Sequence, residues 1–91
     1  MADHCVRAWI SGRVQGVGFR WATQRAAVSV GARGYVRNLP DKRVEAVFEG
    51  GESVVAQALD FVREGPPGAH VSAVEIDPLP TAGYADFEIR H

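Results

Sequence analysis

Two groups of residues in this chain have the types and spacing to do chemistry. The first is the run Gly12-Arg13-Val14-Gln15-Gly16-Val17-Gly18-Phe19-Arg20. Its three glycines fall within seven positions, so the backbone can reverse without side chains in the way and several amide N–H groups can point into one hollow. Such a hollow attracts anions. Arg20 closes the run where a helix is predicted to begin, which adds a planar guanidinium fork to the positive end of a helix dipole. Phosphate fits that set of donors best. The second group is Asn38, whose carboxamide oxygen can accept from water while its N–H can donate to an oxyanion. At neutral pH it cannot take a proton, so it could orient a water but not deprotonate one.

Other chemistries fail on spacing. Gly16-Val17-Gly18 runs on into Phe19-Arg20-Trp21, so the third glycine of a dinucleotide fingerprint is missing, and no Gly-Lys-Ser/Thr follows to make a P-loop. Neither Ser11, Ser29 nor Cys5 has a histidine placed for it as a base. His4, His70 and His91 have no ligand-like spacing with a Cys, Asp or Glu, and the single Cys5 allows neither an internal disulfide nor a cysteine metal cluster. A metal-free, cofactor-free protein is expected, with Cys5 as a buried strand thiol.

The elements that must position these groups follow from periodicity. Cys5, Arg7 and Trp9 alternate with Val6, Ala8 and Ile10, a strand over 4–11 that runs into the glycine loop. From Arg20 to Val30 neither proline nor glycine interrupts. Trp21, Ala22, Ala26, Ala27 and Val30 recur there at helical spacing until Gly31, with Trp21 read as packing. Residues 33–38 form a second strand, Leu39-Pro40-Asp41-Lys42 a turn, and 43–49 a third strand with Val44, Ala46 and Phe48 on one face and Glu45 and Glu49 on the other. A second helix over 53–64 places Val54, Val55, Ala58, Leu59 and Val62 on one stripe, and Gly65-Pro66-Pro67-Gly68 ends it. Strands over 71–76 and 85–90 complete the chain.

This order, β-α-β-β-α-β with an added C-terminal fifth strand, predicts an α+β, ferredoxin-like sandwich: two helices on one face of a mostly antiparallel sheet. Strands one and two are then parallel, so the glycine loop and Asn38 come to the same edge of the sheet, where ligands of such sheets bind.

Composition bounds the partners. With 91 residues, the chain is read as one domain over 1–91. Ten Lys+Arg against eleven Asp+Glu leave a net charge of −1, which argues against a broad nucleic-acid footprint, and no apolar run reaches the ~18 residues of a membrane span. Met1-Ala2-Asp3-His4 lacks a charged-then-apolar secretory start, so the protein is expected to be cytoplasmic, and it is read as a monomer.

Gly12 to Arg20 resembles the first signature of the acylphosphatase family, and Gly34-Tyr35-Val36-Arg37-Asn38, followed by Val44 and Gly50, resembles its second. Length, element order and the Phe87-Glu88-Ile89-Arg90 ending extend the similarity over nearly the whole chain. The resemblance implies hydrolysis of a carboxyl–phosphate mixed anhydride, an acyl phosphate, to a carboxylate and inorganic phosphate. It also implies that the backbone amides of Gln15, Gly16, Val17, Gly18, Phe19 and Arg20 and the Arg20 guanidinium hold the phosphoryl group, while Asn38 positions the attacking water. Inorganic phosphate is then both product and competitive inhibitor.

The chain departs from the family pattern at Lys42, which stands where that pattern has glycine. Lysine in a left-handed conformation costs roughly 1 kcal/mol, or else the 39–43 turn takes another shape. Two alternatives share the topology. One is an RNA-recognition module, for which the central third strand offers only Phe48 among aromatics, and on the core side. The other is a non-catalytic phosphate- or carbamoyl-phosphate-binding domain, similar to the acylphosphatase-like segment of hydrogenase-maturation carbamoyltransferases.

Overall fold

Seven elements follow one another in the computed structural model, which describes residues 3–91: β1 (His4–Arg13), α1 (Phe19–Val30), β2 (Arg33–Asn38), β3 (Val44–Gly50), α2 (Glu52–Glu64), β4 (His70–Leu79) and β5 (Phe87–Arg90). Met1 and Ala2, part of the amino-terminal start considered above, lie outside the described residues. The strands form one sheet in the order β4-β1-β3-β2-β5. β1 pairs antiparallel with β3 and β4, β2 pairs antiparallel with β3, and β5 runs parallel to β2. Because β1 and β2 are both antiparallel to β3, they are parallel to each other, as the ferredoxin-like reading requires.

The sheet's alternation decides where the core lies. Ala8 and Ile10 of β1, Val36 of β2, Val44, Ala46 and Phe48 of β3 and Phe87 of β5 face the helices. They meet Phe19 and Ala27 of α1 and Val55, Ala58, Leu59 and Val62 of α2. Each of the Val, Leu, Ile and Phe side chains among them contributes ~1.5–3 kcal/mol when fully buried. Phe48 stacks on Phe87 with ring centroids 5.6 Å apart, which holds β5 to the end of the core.

Several boundaries differ from expectation for physical reasons. β1 continues to Arg13 and β4 spans ten residues, because the two pair along their length through a register shift between Ser11 and Gly12. That ladder is set by the partner strand and not by alternation within either segment. α1 starts one residue earlier than predicted, at Phe19, and the residues it buries are Phe19, Thr23 and Ala27. Trp21, read as packing, is instead 57% exposed. The buried stripe begins at Phe19, and Trp21 lies two residues on, about 200° around the helix at 3.6 residues per turn. At the far end Gly31, with φ 85°, caps α1 as its amide and that of Ala32 return to the Val28 and Ala27 carbonyls.

The second face of the sheet is not a solvated surface at β3. Glu45 and Glu49, assigned there as polar alternation, are both buried. Glu45 accepts from Arg37 Nε at 2.8 Å and from Tyr35 Oη at 3.1 Å. Glu49 accepts from the backbone amides of Ala82, Gly83 and Tyr84 at 2.6–3.3 Å, so the segment before β5 folds over this carboxylate. These amide bonds, led by that of Ala82 and reinforced by the nearby Arg33 guanidinium, hold the Glu49 carboxyl below its ordinary range. The Cys5 thiol is buried, as expected, and pushed up first by burial and then by the Glu49 charge.

Candidate active site

The glycine loop is pinned at both ends by the core. Val14, which follows β1, and Phe19, which opens α1, are each 1% exposed. The residues between them must therefore turn within a short span. Gly16 and Gly18 do so with φ 76° each. A side chain at either position would meet open space, so the glycines are required by the backbone angle and not by room. Gly18 is the N-cap of α1 and supplies no side-chain cap. The first helical hydrogen bond runs from the Ala22 amide to the Gly18 carbonyl at 3.0 Å, and among the described residues no backbone bond issues from the amides of 15–21. That run of unpaired donors at a helix N-terminus forms an electropositive lip.

Asn38 is the last residue of β2, opposite Val44 of β3. The turn beyond it is ordered by three local contacts. The Lys42 amide donates to the Leu39 carbonyl at 3.1 Å, the Leu39 amide to the Arg43 carbonyl at 2.8 Å, and the Arg43 amide to Asp41 Oδ1 at 3.1 Å. The Arg43 amide, then its guanidinium, hold the Asp41 carboxyl below its ordinary range. Lys42 takes φ 76°, so the turn keeps the left-handed residue that the family pattern assigns to glycine, and lysine bears the strain. Gln15 has a part that sequence reasoning missed. Its Nε2 donates to the Leu39 and Arg43 carbonyls at 2.9 and 3.0 Å, tying the glycine loop to the turn that follows Asn38.

Gly16, Gly18, Phe19, Arg20 and Asn38 come together around one cavity of about 320 Å³. Gln15 and Val17 do not line it. Val14, Trp21, Ile89 and His91 complete its wall. Trp21 thus borders the cavity and does not pack in the core, and His91, without ligand-like spacing in the sequence, joins the same wall. The parallel register, with Arg37 opposite Arg90, carries His91 to the level of Asn38, a placement that depends on which strand β5 joins. Arg20 Nη1 donates to the Arg90 carbonyl at 3.5 Å and lies 3.2 Å from His91 Nδ1. A guanidinium can only donate, so Nδ1 is the acceptor in this contact. Asn38 Oδ1 is buried and has no hydrogen-bond partner. Among the described residues no three His, Cys, Asp or Glu side chains gather in the manner of a metal site.

The family model described as Acylphosphatase matches residues 6–89. The chain belongs to the acylphosphatase family. It is 47% identical over 85 residues to the acylphosphatase of Acaryochloris marina, covering 93% of this chain and 91% of that one. It superposes on the structure of an acylphosphatase from Coxiella burnetii with a TM-score of 0.93 and 34% identity, over 97% of this chain and 93% of that one. T. kodakarensis HypF contains a similar unit, at TM-score 0.82 and 32% identity, in which 97% of this chain matches 12% of that chain. With this coverage of acylphosphatase sequences and structures, the protein is an enzyme, an acylphosphatase. No helix among the described residues is long and apolar enough to cross a membrane.

Proposed function

We propose that the cavity binds the phosphoryl group of an acyl phosphate and that a water oriented by Asn38 displaces the carboxylate in line. One observation carries the reading: Arg20 and Asn38 line one cavity together with Gly16, Gly18 and Phe19, from a loop whose amides over 15–20 make no backbone hydrogen bond among the described residues. In phosphoryl transfer the charge spreads over three equatorial oxygens, and the catalyst's work is positioning and charge stabilisation. The amides of Gly16, Gly18, Phe19 and Arg20 and the Arg20 guanidinium, all on residues that line the cavity, meet those oxygens. Asn38 accepts a hydrogen bond from the incoming water and donates to the phosphoryl group. The carboxylate leaves without a strong general acid, which agrees with a wall lacking paired carboxylates. Gln15 acts on Asn38 indirectly, through the turn it clamps.

The same reading has the enzyme work without metal, as a cytoplasmic monomer with no nucleic-acid partner. The net charge of −1 supports the lack of a nucleic-acid partner, and the single thiol, which allows no internal disulfide or cysteine cluster, agrees with a reducing compartment.

The test separates binding from turnover. Arg20→Ala is expected to lower benzoyl phosphate hydrolysis by on the order of 10²–10³ or more and to weaken competitive inhibition by inorganic phosphate. Asn38→Ala is expected to lose turnover while keeping the affinity for phosphate. Loss of phosphate affinity with an unchanged rate in Asn38→Ala overturns the roles. Phosphate binding without turnover in the wild type favours the non-catalytic alternative.

A further inference from the structure

Among the described residues Trp21 and Val28 are the large hydrophobic residues that the fold leaves exposed, and Trp21 alone of the two borders the candidate active site. Leaving an indole 57% exposed forgoes burial that similar side chains achieve elsewhere in the chain. The side chain nevertheless has one neighbour on its own helix. One turn further along α1, the Arg25 guanidinium sits 4.7 Å from the indole centroid, a cation–π contact at i,i+4 spacing that covers one part of the ring. The result is an exposed aromatic surface beside Arg20.

The remaining wall sorts itself by accessibility. Val14 and Phe19 line the cavity but are committed to the core at 1% exposure each. The apolar surface left for whatever extends beyond a bound phosphoryl group is that of Trp21 and the partly buried Ile89. A methyl group covers little of this surface, whereas a planar unsaturated group can lie against an indole with a stacking gain beyond simple area.

We infer that Trp21, with Ile89, is the acyl subsite, and that it selects acyl phosphates bearing a flat aromatic acyl group over those bearing a short one. This rests on the hydrolase reading above and concerns its substrate class. Trp21 is a specificity residue: it touches the leaving group and leaves the phosphoryl cradle alone.

The experiment compares benzoyl phosphate with acetyl phosphate, whose methyl group is too small to cover the indole, in wild type, Trp21→Ala and Trp21→Phe. Trp21→Ala is expected to lower kcat/KM for benzoyl phosphate by on the order of tenfold, to leave acetyl phosphate within about twofold, and to leave phosphate inhibition unchanged. Trp21→Phe should recover most of the benzoyl preference. An equal loss on both substrates, or no loss on benzoyl phosphate, overturns the subsite and leaves the hydrolase reading intact. If the wild type turns over neither substrate, the hydrolase reading itself fails.

Discussion

Lys42 shows what a single residue can decide and what it cannot. The hairpin after Asn38 needs a left-handed residue at this position, and lysine adopts φ 76° to provide it. The turn is therefore preserved at a local energetic cost and Asn38 keeps its place in the wall. Replacing Lys42 by glycine removes the strain but frees the unfolded chain, so Lys42→Gly should stabilise the fold by no more than about 0.5 kcal/mol net. Urea unfolding of the two proteins measures it, and kcat on benzoyl phosphate should stay within about twofold. Gln15 illustrates the complementary case. It borders the glycine loop in sequence, but its carboxamide acts across 24 to 28 positions on the hairpin carbonyls.

At the scale of elements, Glu49 ties β3 to the segment that leads into β5. The carboxylate collects three backbone amides and stands 3.8 Å from Arg33 Nη1. A charged acceptor in such contacts contributes on the order of 2 kcal/mol, so Glu49→Gln, which turns one acceptor into a donor facing those amides, should cost about that much in urea unfolding. The sign with pH follows from the lowered carboxyl. The contribution is complete above the unfolded carboxyl's ordinary 4.5 and is lost as pH falls through the lower folded value. Wild type should therefore lose more stability below about pH 4.5 than Glu49→Gln does, and parallel acid limbs would contradict this account. Because β5 supplies Ile89 and carries His91 into the cavity, loosening this tie should also be felt at the site.

For the whole molecule, the proposed phosphoryl cradle couples ligand binding to folding. The loop is pinned by Val14 and Phe19, both members of the core, so it exists as a set of convergent donors only in the folded chain. A ligand that binds only the native state at 100 times its Kd adds about 2.7 kcal/mol, and in a domain of this size that raises Tm by on the order of 10 °C or more. Inorganic phosphate at that excess should produce the rise in a thermal melt, and Arg20→Ala should largely abolish it at the same concentration. A similar rise in both proteins would place the phosphate elsewhere.

Much of this was legible in the residues alone. Periodicity, glycine placement and the two signatures led to the element order, the loop, Arg20 and Asn38, because backbone conformation and hydrophobic alternation are local properties. Other features were settled only when strands found partners. The length of β4, the burial of Glu45 and Glu49, the outward face of Trp21 and the arrival of Ile89 and His91 in the cavity depend on pairing and on loops folding across the sheet. Contacts between residues tens of positions apart leave no periodic trace in a chain. The sequence by itself determined which groups could hold and orient a phosphoryl transfer; tertiary packing decided which surfaces the rest of a substrate would meet.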